Sequence, residues 1–208
     1  FLSLATLSAW MQDAILEPFG ADTFSFTAGR TTRFNSYWQS ATVLTLIASV
    51  LIWRKRPPER QGKITGFGLL VMALGMASLA FCSFIGQENL VELSLLLFGA
   101  GFGVYTFGGL SLMAVMAADR YAGAYLGLWT VSILVFKGLG TFLGGALRDL
   151  FYLRADLPPT TSYGLVFLCA AVGLILSVYL LSRVDIIGFA RDYGRKINFG
   201  EAQVVGAD

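Results

Sequence analysis

The sequence predicts an all-α membrane protein, a bundle of six transmembrane helices. The chain of 208 residues is 56% hydrophobic and only 13% charged, whereas soluble domains carry about 25% charged residues. Its mean hydropathy is +0.68. Six apolar segments meet or approach the roughly 20 residues that a helix needs to cross a bilayer. These observations together predict an integral membrane protein.

The six predicted helices differ in length. The first is short, because residue 1 is a Phe inside an apolar run, and we interpret the chain as a segment of a longer polypeptide. The fourth and fifth exceed the length of a span, so we expect them to tilt or protrude. Residues 184–208 are polar and predict a cytoplasmic tail. The helices are predicted at about 1–17, 35–53, 64–85, 90–117, 121–147 and 162–183.

Basic residues concentrate on alternate connections, which predicts the orientation. Connections rich in Lys and Arg face the cytoplasm. The basic side holds Arg54, Lys55, Arg56, Arg60, Lys63, Arg120, Arg183, Arg191, Arg195 and Lys196. The first and fifth helices therefore run outward, and the C-terminus is predicted to be cytoplasmic.

Glycines recur four residues apart inside the predicted helices. Small residues at this spacing let two helix backbones approach closely in a membrane. We therefore predict helix packing at three glycine pairs, which are Gly99 and Gly103, Gly123 and Gly127, and Gly140 and Gly144.

The composition argues against several function classes. The chain has no His, so the commonest general base and metal ligand is missing, and we expect neither an enzyme nor a dedicated metal site. A net charge of +2 and the lack of a glycine-rich phosphate loop after a strand argue against nucleic acid and nucleotides as partners.

Polar residues stand at the end of the first predicted helix. Asp13 and Glu17 are four residues apart and share one helix face, with Gln12 beside them. We predict that Pro18 and Gly20 end this helix, which places Asp13 near the outer interface. A solvated helix end and a polar face toward the bundle interior are both compatible with this pattern.

Further candidate residues lie on other helices. Lys137 lies well inside the fifth helix, where an ammonium must extend to the interface, form an ion pair or line a polar cavity. A pair between Lys137 and Asp13 or Glu17 is possible in the predicted orientation. Asn35 and Gln39 lie in the first turns of the predicted second helix, at the outer interface.

The loop after the second helix carries a short pattern. Its end, "ERQGK", contains Glu59, Arg60, Gly62 and Lys63. This pattern resembles the tail of the signature that major facilitator transporters carry between the second and third helices of each half. A basic loop is also what the predicted orientation requires.

The stretch "MQDAILEPFGADTFSFTAGRTTRFNSYW" carries a more specific resemblance. It is similar to the bacteriochlorophyll-delivery (BCD) branch of the major facilitator superfamily, the PucC and LhaA type, whose seventh helix ends in such a run. "GLGTFLGGALRDL" at 138–150, "SYGLVF" and "LLSRVDI" within 162–186 also match. The matching residues of the opening run are Gln12, Asp13, Leu16, Glu17, Pro18, Phe19, Gly20, Thr31, Thr32 and Arg33.

The resemblance implies a fold and a function. The chain corresponds to the C-terminal half of a major facilitator protein that hands chlorophyll or bacteriochlorophyll to light-harvesting or photosystem subunits, or assists their assembly. The implied partners are the N-terminal half of the same transporter, those subunits, chlorophyll synthase and the lipid of a thylakoid or intracytoplasmic membrane.

The implied pigment needs a site. Pigment magnesium accepts oxygen ligands, and an apolar, aromatic groove must hold the ring. "SYWQ" and "GVYTFGG" are candidates for the groove wall. A backbone carbonyl or a water can also supply the oxygen, and the candidate side-chain ligands of the magnesium are Gln12, Asp13, Glu17, Asn35 and Gln39.

Two other function classes remain open at this point. The chain can belong to a structural or assembly subunit that stays bound to a photosynthetic complex and transports nothing. It can also belong to a proton-coupled exporter of another apolar molecule, in which Asp13 and Glu17 would titrate.

Overall fold

A computed structural model describes residues 1–53, 58–116 and 122–184, and these residues contain helices and no β-strand. A 3-10 turn, Glu88–Leu90, precedes the helix that begins at Val91, and a π-helical turn, Leu150–Arg154, follows the helix that ends at Asp149. The described residues form seven α-helices, α1 Leu2–Trp10, α2 Leu16–Phe24, α3 Ala28–Trp53, α4 Pro58–Ile85, α5 Val91–Met116, α6 Ala122–Asp149 and α7 Pro159–Ser182.

Five of these helices, α3 to α7, are long and apolar enough to cross a membrane. This finding agrees with an integral membrane protein. The first predicted span is different, because α1 has 9 residues and α2 has another 9. Within the described part of the chain, the structure therefore gives five long spans and one interrupted segment in place of six continuous helices.

The predicted end of the first helix is wrong. The chain leaves the helix after Trp10 and resumes helix at Leu16, so that Pro18 and Gly20 lie inside α2. Proline is tolerated in the first turn of a helix, because the N–H groups there have no intrahelical partner. Pro18 thus lies at the start of a helix, where the sequence pattern had suggested an end.

Two other helices begin earlier than hydropathy predicts. α3 begins at Ala28 and α4 at Pro58. In the first turn of α3, the hydroxyls of Thr31 and Thr32 donate to the Ala28 carbonyl. Hydropathy detects only the apolar part of a helix. Both helices start earlier because their first turns contain polar residues, which hydropathy does not count.

Several predictions fall outside the described residues. These are the predictions for the tail from residue 185 onward and for the basic residues Arg54, Lys55, Arg56 and Arg120.

The core forms around α4, which packs against α5 on one side and α7 on the other. α3 packs on α5, α1 contacts α6 and α7, and α2 bridges α3 and α7. In contrast, only 11% of the apolar window of α3 and 6% of that of α6 is buried. These two helices therefore leave long apolar faces for lipid or for another helical segment. The largest fully buried core residues on α4, α5 and α7 include Leu69, Met72, Met76, Leu79, Leu95, Phe98 and Phe167.

The three predicted glycine pairs have different surroundings. A Cβ on Gly99 would overlap the Trp38 carbonyl oxygen, and one on Gly103 would overlap Thr45 Oγ1, both on α3. Thr42 reinforces this contact by donating to the Gly99 carbonyl at 3.0 Å. Around Gly123 and Gly127, by contrast, a Cβ would meet no atom within 4 Å.

The first pair therefore allows close backbone packing between α3 and α5. The structure does not place Gly123 and Gly127 at a helix contact within the described residues, because the faces of α6 that carry them are open. Spacing alone does not say whether a partner helix faces a glycine pair.

We expect Gly99→Ala to destabilise the full-length protein by about 1–3 kcal/mol, because the added methyl must displace the backbone of α3. The control is Gly109→Ala on the same helix, where the Cβ would lie 3.9 Å from the Trp129 ring in ordinary contact. The midpoint of thermal unfolding in detergent measures both. Equal midpoints for the two variants would contradict the close contact.

Candidate functional site

The interruption between α1 and α2 brings polar groups to the middle of the α1–α2 segment. Asp13 N–H donates to the Trp10 carbonyl at 3.1 Å, and Leu16 N–H donates to the Gln12 carbonyl at 2.9 Å. These bonds satisfy part of the backbone that the helices leave unpaired. Irregular backbone is tolerated at membrane depth only where protein or an aqueous cavity surrounds it.

α6 supplies that surrounding protein. A Cβ on Gly140 would overlap the Leu7 carbonyl oxygen, and one on Gly144 would overlap the Met11 carbonyl oxygen. Ser3 and Ser132 meet through their hydroxyls at 3.3 Å. Residue numbers rise together along this contact, so α1 and α6 run in the same direction.

Asp13 and Gln12 lie inside the interruption. Asp13 is half-buried, and its Oδ2 accepts a long hydrogen bond of 3.4 Å from Thr141 Oγ1. Thr141 lies about two turns before the end of α6 at Asp149. Asp13 is therefore deeper in the bundle than the predicted helix end implied. Gln12 is 1% exposed, and its Oε1 has no hydrogen-bond partner among the described residues.

The ion pair of Lys137 with Asp13 or Glu17, which the sequence left possible, is absent among the described residues. Lys137 Nζ lies 3.6 Å from the centroid of the Trp10 ring, within range of a cation–π interaction. This half-buried ammonium has no carboxylate within ion-pair distance in the described part of the chain. Lys137 lies one helical turn before Thr141 on α6, and its side chain contacts the Trp10 ring of α1.

The predicted polar residues of α3 separate into two environments. Asn35 Nδ2 donates to Glu17 Oε1 at 3.2 Å, and Trp38 Nε1 donates to Asn35 Oδ1 at 3.0 Å. Glu17 and Asn35 are thus joined, with Glu17 exposed. Gln39 is exposed on α3 and lies away from this chain of bonds.

A second polar contact fixes α2 against α7. Tyr163 is buried near the start of α7, and its hydroxyl donates to Asp22 Oδ2 at 2.5 Å. The Arg148 guanidinium lies 5.4 Å from the Tyr163 ring centroid. Phe19 on α2 packs edge-on against Phe167 of α7, with centroids 5.0 Å apart. This contact holds α2 in place after the interruption.

A half-open cavity of about 220 Å³ lies between α1, α5 and α6. Trp10 and Phe102 meet edge-to-face in its wall, with centroids 6.1 Å apart, and Trp129 closes it from α6. The Tyr105 hydroxyl is buried here without a hydrogen-bond partner of acceptable geometry, although Thr6 is close. The lining is Leu2, Thr6, Ala9, Trp10, Phe102, Tyr105, Thr106, Gly109, Leu110, Trp129 and Ile133.

The sequence predicted part of this wall. "GVYTFGG" contains Tyr105, Thr106 and Gly109, and all three line the cavity. Trp10 and Trp129 were missed, because their convergence depends on how α6 docks on α1. The "SYWQ" segment contributes Trp38 only indirectly, through a T-shaped contact with Trp10 at 6.0 Å.

The loop signature lies in a helix. Glu59, Arg60, Gly62 and Lys63 all fall within α4, which begins at Pro58. Arg60 and Lys63 are exposed and border a shallow cavity of about 420 Å³ with Trp53 and Phe67. This region is separate in sequence and in lining from the aromatic cavity.

We expect Tyr163→Phe to destabilise the full-length protein by about 1.5–3 kcal/mol, because it removes a buried hydrogen bond to a carboxylate. The control is Tyr179→Phe on the same helix, whose exposed side chain has a hydroxyl that accepts a hydrogen bond from the exposed Arg183. We expect less than about 1 kcal/mol there. Thermal unfolding in detergent compares the two, and an equal loss would refute the role of the Asp22 contact.

Comparison with curated proteins finds related chains in Rhodobacter and Rhodovulum species. "Uncharacterized protein in puhA-bchM intergenic region" of Rhodobacter capsulatus is 25% identical, over 97% of this chain and 43% of that protein. "Bacteriochlorophyll synthase 44.5 kDa chain" of the same species is 28% identical, over 88% and 43%. "Protein PucC" of Rhodovulum sulfidophilum is 26% identical, over 74% and 33%.

The chain therefore spans less than half the length of the curated relatives it matches. No solved structure matches it with significant similarity. The family model described as "PUCC protein" matches residues 1–189, which covers α1 through α7. The chain belongs to the PUCC protein family.

Proposed function

We propose that this chain is part of a membrane protein that holds chlorophyll or bacteriochlorophyll and delivers it during assembly of light-harvesting or photosystem complexes. The aromatic cavity between α1, α5 and α6 carries the proposal, because it offers an apolar, ring-lined site inside a helical membrane protein of the PUCC family. A relative named "Bacteriochlorophyll synthase 44.5 kDa chain" supports the pigment class.

The lining fits a flat, apolar ring. Ligand cavities are mostly hydrophobic and aromatic, with a few polar groups that fix orientation. Trp10, Phe102 and Trp129 supply the aromatic surface, and Tyr105 supplies a polar group. The volume of about 220 Å³ is below the 300–1,000 Å³ of typical sites, so the cavity holds part of a ligand.

The pigment's magnesium needs an oxygen ligand. Of the five candidates, Gln12 has a side-chain oxygen that is buried and without a partner in the described residues. The side-chain oxygens of Asp13, Glu17 and Asn35 accept hydrogen bonds, and Gln39 is exposed. Gln12 follows Trp10 by two residues, so it is the candidate nearest in sequence to the cavity wall, and we propose it as the magnesium ligand.

The fold proposed is the C-terminal half of a major facilitator protein. α1 and α2 together then form its first span, interrupted in the middle, and α3 to α7 form the other five. Discontinuous helices are typical of transporter binding sites. The N-terminal half would cover part of the exposed faces of α3 and α6.

The proposed setting follows from this function. The membrane is photosynthetic, with a cytoplasmic C-terminus, and the partners are light-harvesting or photosystem subunits and chlorophyll synthase. We propose binding and handover without covalent chemistry, because the sequence provides no His.

We expect the full-length protein, purified from photosynthetic membranes in mild detergent, to carry pigment. Trp129→Leu and Trp10→Leu should each lower the pigment-to-protein ratio several-fold, because an aromatic pair is worth about 0.5–1.5 kcal/mol beyond the area that it buries. Trp53→Leu is the control, since Trp53 lies outside the cavity. Visible absorption and protein concentration give the ratio.

Other outcomes would select the alternatives. A fixed ratio to photosystem or antenna subunits, with pigment unchanged in both cavity variants, would favour a structural subunit. A colourless, solitary protein with pH-dependent export would favour a proton-coupled exporter. Equal pigment loss in the Trp53 control would show that tryptophan loss acts through stability.

A further inference from the structure

We propose that the Tyr105 hydroxyl orients the ligand in the cavity by donating a hydrogen bond to a carbonyl on the pigment ring. This inference rests on the proposed function and adds a specificity determinant to it. Ligands with a ring carbonyl at the matching position would be preferred over rings that lack one.

The position of Tyr105 is unusual for a phenol. The residue is 8% exposed, and its hydroxyl has no hydrogen-bond partner of acceptable geometry within the described residues. A buried Tyr O–H usually finds a partner, because leaving it unpaired in an apolar site is costly. Tyr105 is part of the cavity wall, so a ligand there can supply the acceptor that this buried hydroxyl lacks.

The hydroxyl of the neighbouring Thr106, in contrast, is already hydrogen-bonded within the protein. Thr106 Oγ1 donates to the Phe102 carbonyl at 2.8 Å, inside α5. Its donor is therefore used within the protein, although the residue lines the same cavity. Thr6 is close to the Tyr105 hydroxyl, but without a hydrogen bond of acceptable geometry. Because the Thr106 hydroxyl is already bonded within α5, we assign the ligand contact to Tyr105.

The aromatic wall favours an acceptor on a ring. Phe102 and Tyr105 lie with centroids 6.2 Å apart, and Trp10 meets Phe102 edge-on. A flat ring against these side chains brings its edge substituents close to the phenol. A neutral O–H is a donor to carbonyl oxygen, and a ring ketone is such an acceptor.

The test uses the full-length protein reconstituted with chlorophyll a, in wild-type form and as Tyr105→Phe and Thr106→Val. Resonance Raman spectra report the stretching frequency of the ring ketone, and titration gives the affinity. We expect Tyr105→Phe to shift the ketone to its unbonded frequency and weaken binding roughly two- to tenfold. Thr106→Val should change neither.

The outcomes distinguish a failure of the Tyr105 contact from a failure of the proposed pigment binding. If Tyr105→Phe binds chlorophyll a with an unchanged ketone frequency, the inference fails and the pigment function stands. If the wild type binds neither chlorophyll a nor bacteriochlorophyll a, the proposed function fails. Wild-type protein that carries phospholipid and no pigment, as mass spectrometry of its extract would show, would assign the donor to a lipid ester and overturn the proposal.

Discussion

The backbone contact between α1 and α6 is the constraint on which the candidate site depends. Gly140 and Gly144 have no side chain, so the carbonyl oxygens of Leu7 and Met11 can lie directly against α6. Lipid gives helices no hydrophobic reason to associate, so close packing and polar contacts must supply the attraction. Because α6 is otherwise little buried, this contact between α1 and α6 determines where the side chains of α6 lie.

The backbone contact between α1 and α6 has two consequences for the candidate site. It shields the interrupted backbone between α1 and α2, where Asp13 bonds to Thr141 and Gln12 is buried. It also leaves α6 apart from α5, so a cavity opens between them with Trp10 and Trp129 in its wall. The cavity that we propose for pigment and the interrupted helix thus both lie beside one contact.

Much of the fold follows from the sequence, because lipid selects long apolar helices and hydropathy detects them. The interruption at residues 11–15 does not, since Pro18 marks a helix start as readily as an end. For Lys137, the sequence predicted a membrane cation that extends to the interface, forms an ion pair or lines a polar cavity, and its contact with the Trp10 ring was not foreseen. Tyr105 lay in a predicted groove segment, whereas Trp129 needed the tertiary docking of α6 to be found.

The central claim is that pigment lies between α1, α5 and α6. A cryo-electron microscopy map of the full-length protein in a lipid nanodisc with bound pigment tests it most directly. We expect density for a planar ring bounded by Trp10, Tyr105 and Trp129, with its edge at the Tyr105 hydroxyl. A cavity filled by side chains of another segment, with the ring elsewhere, would contradict it.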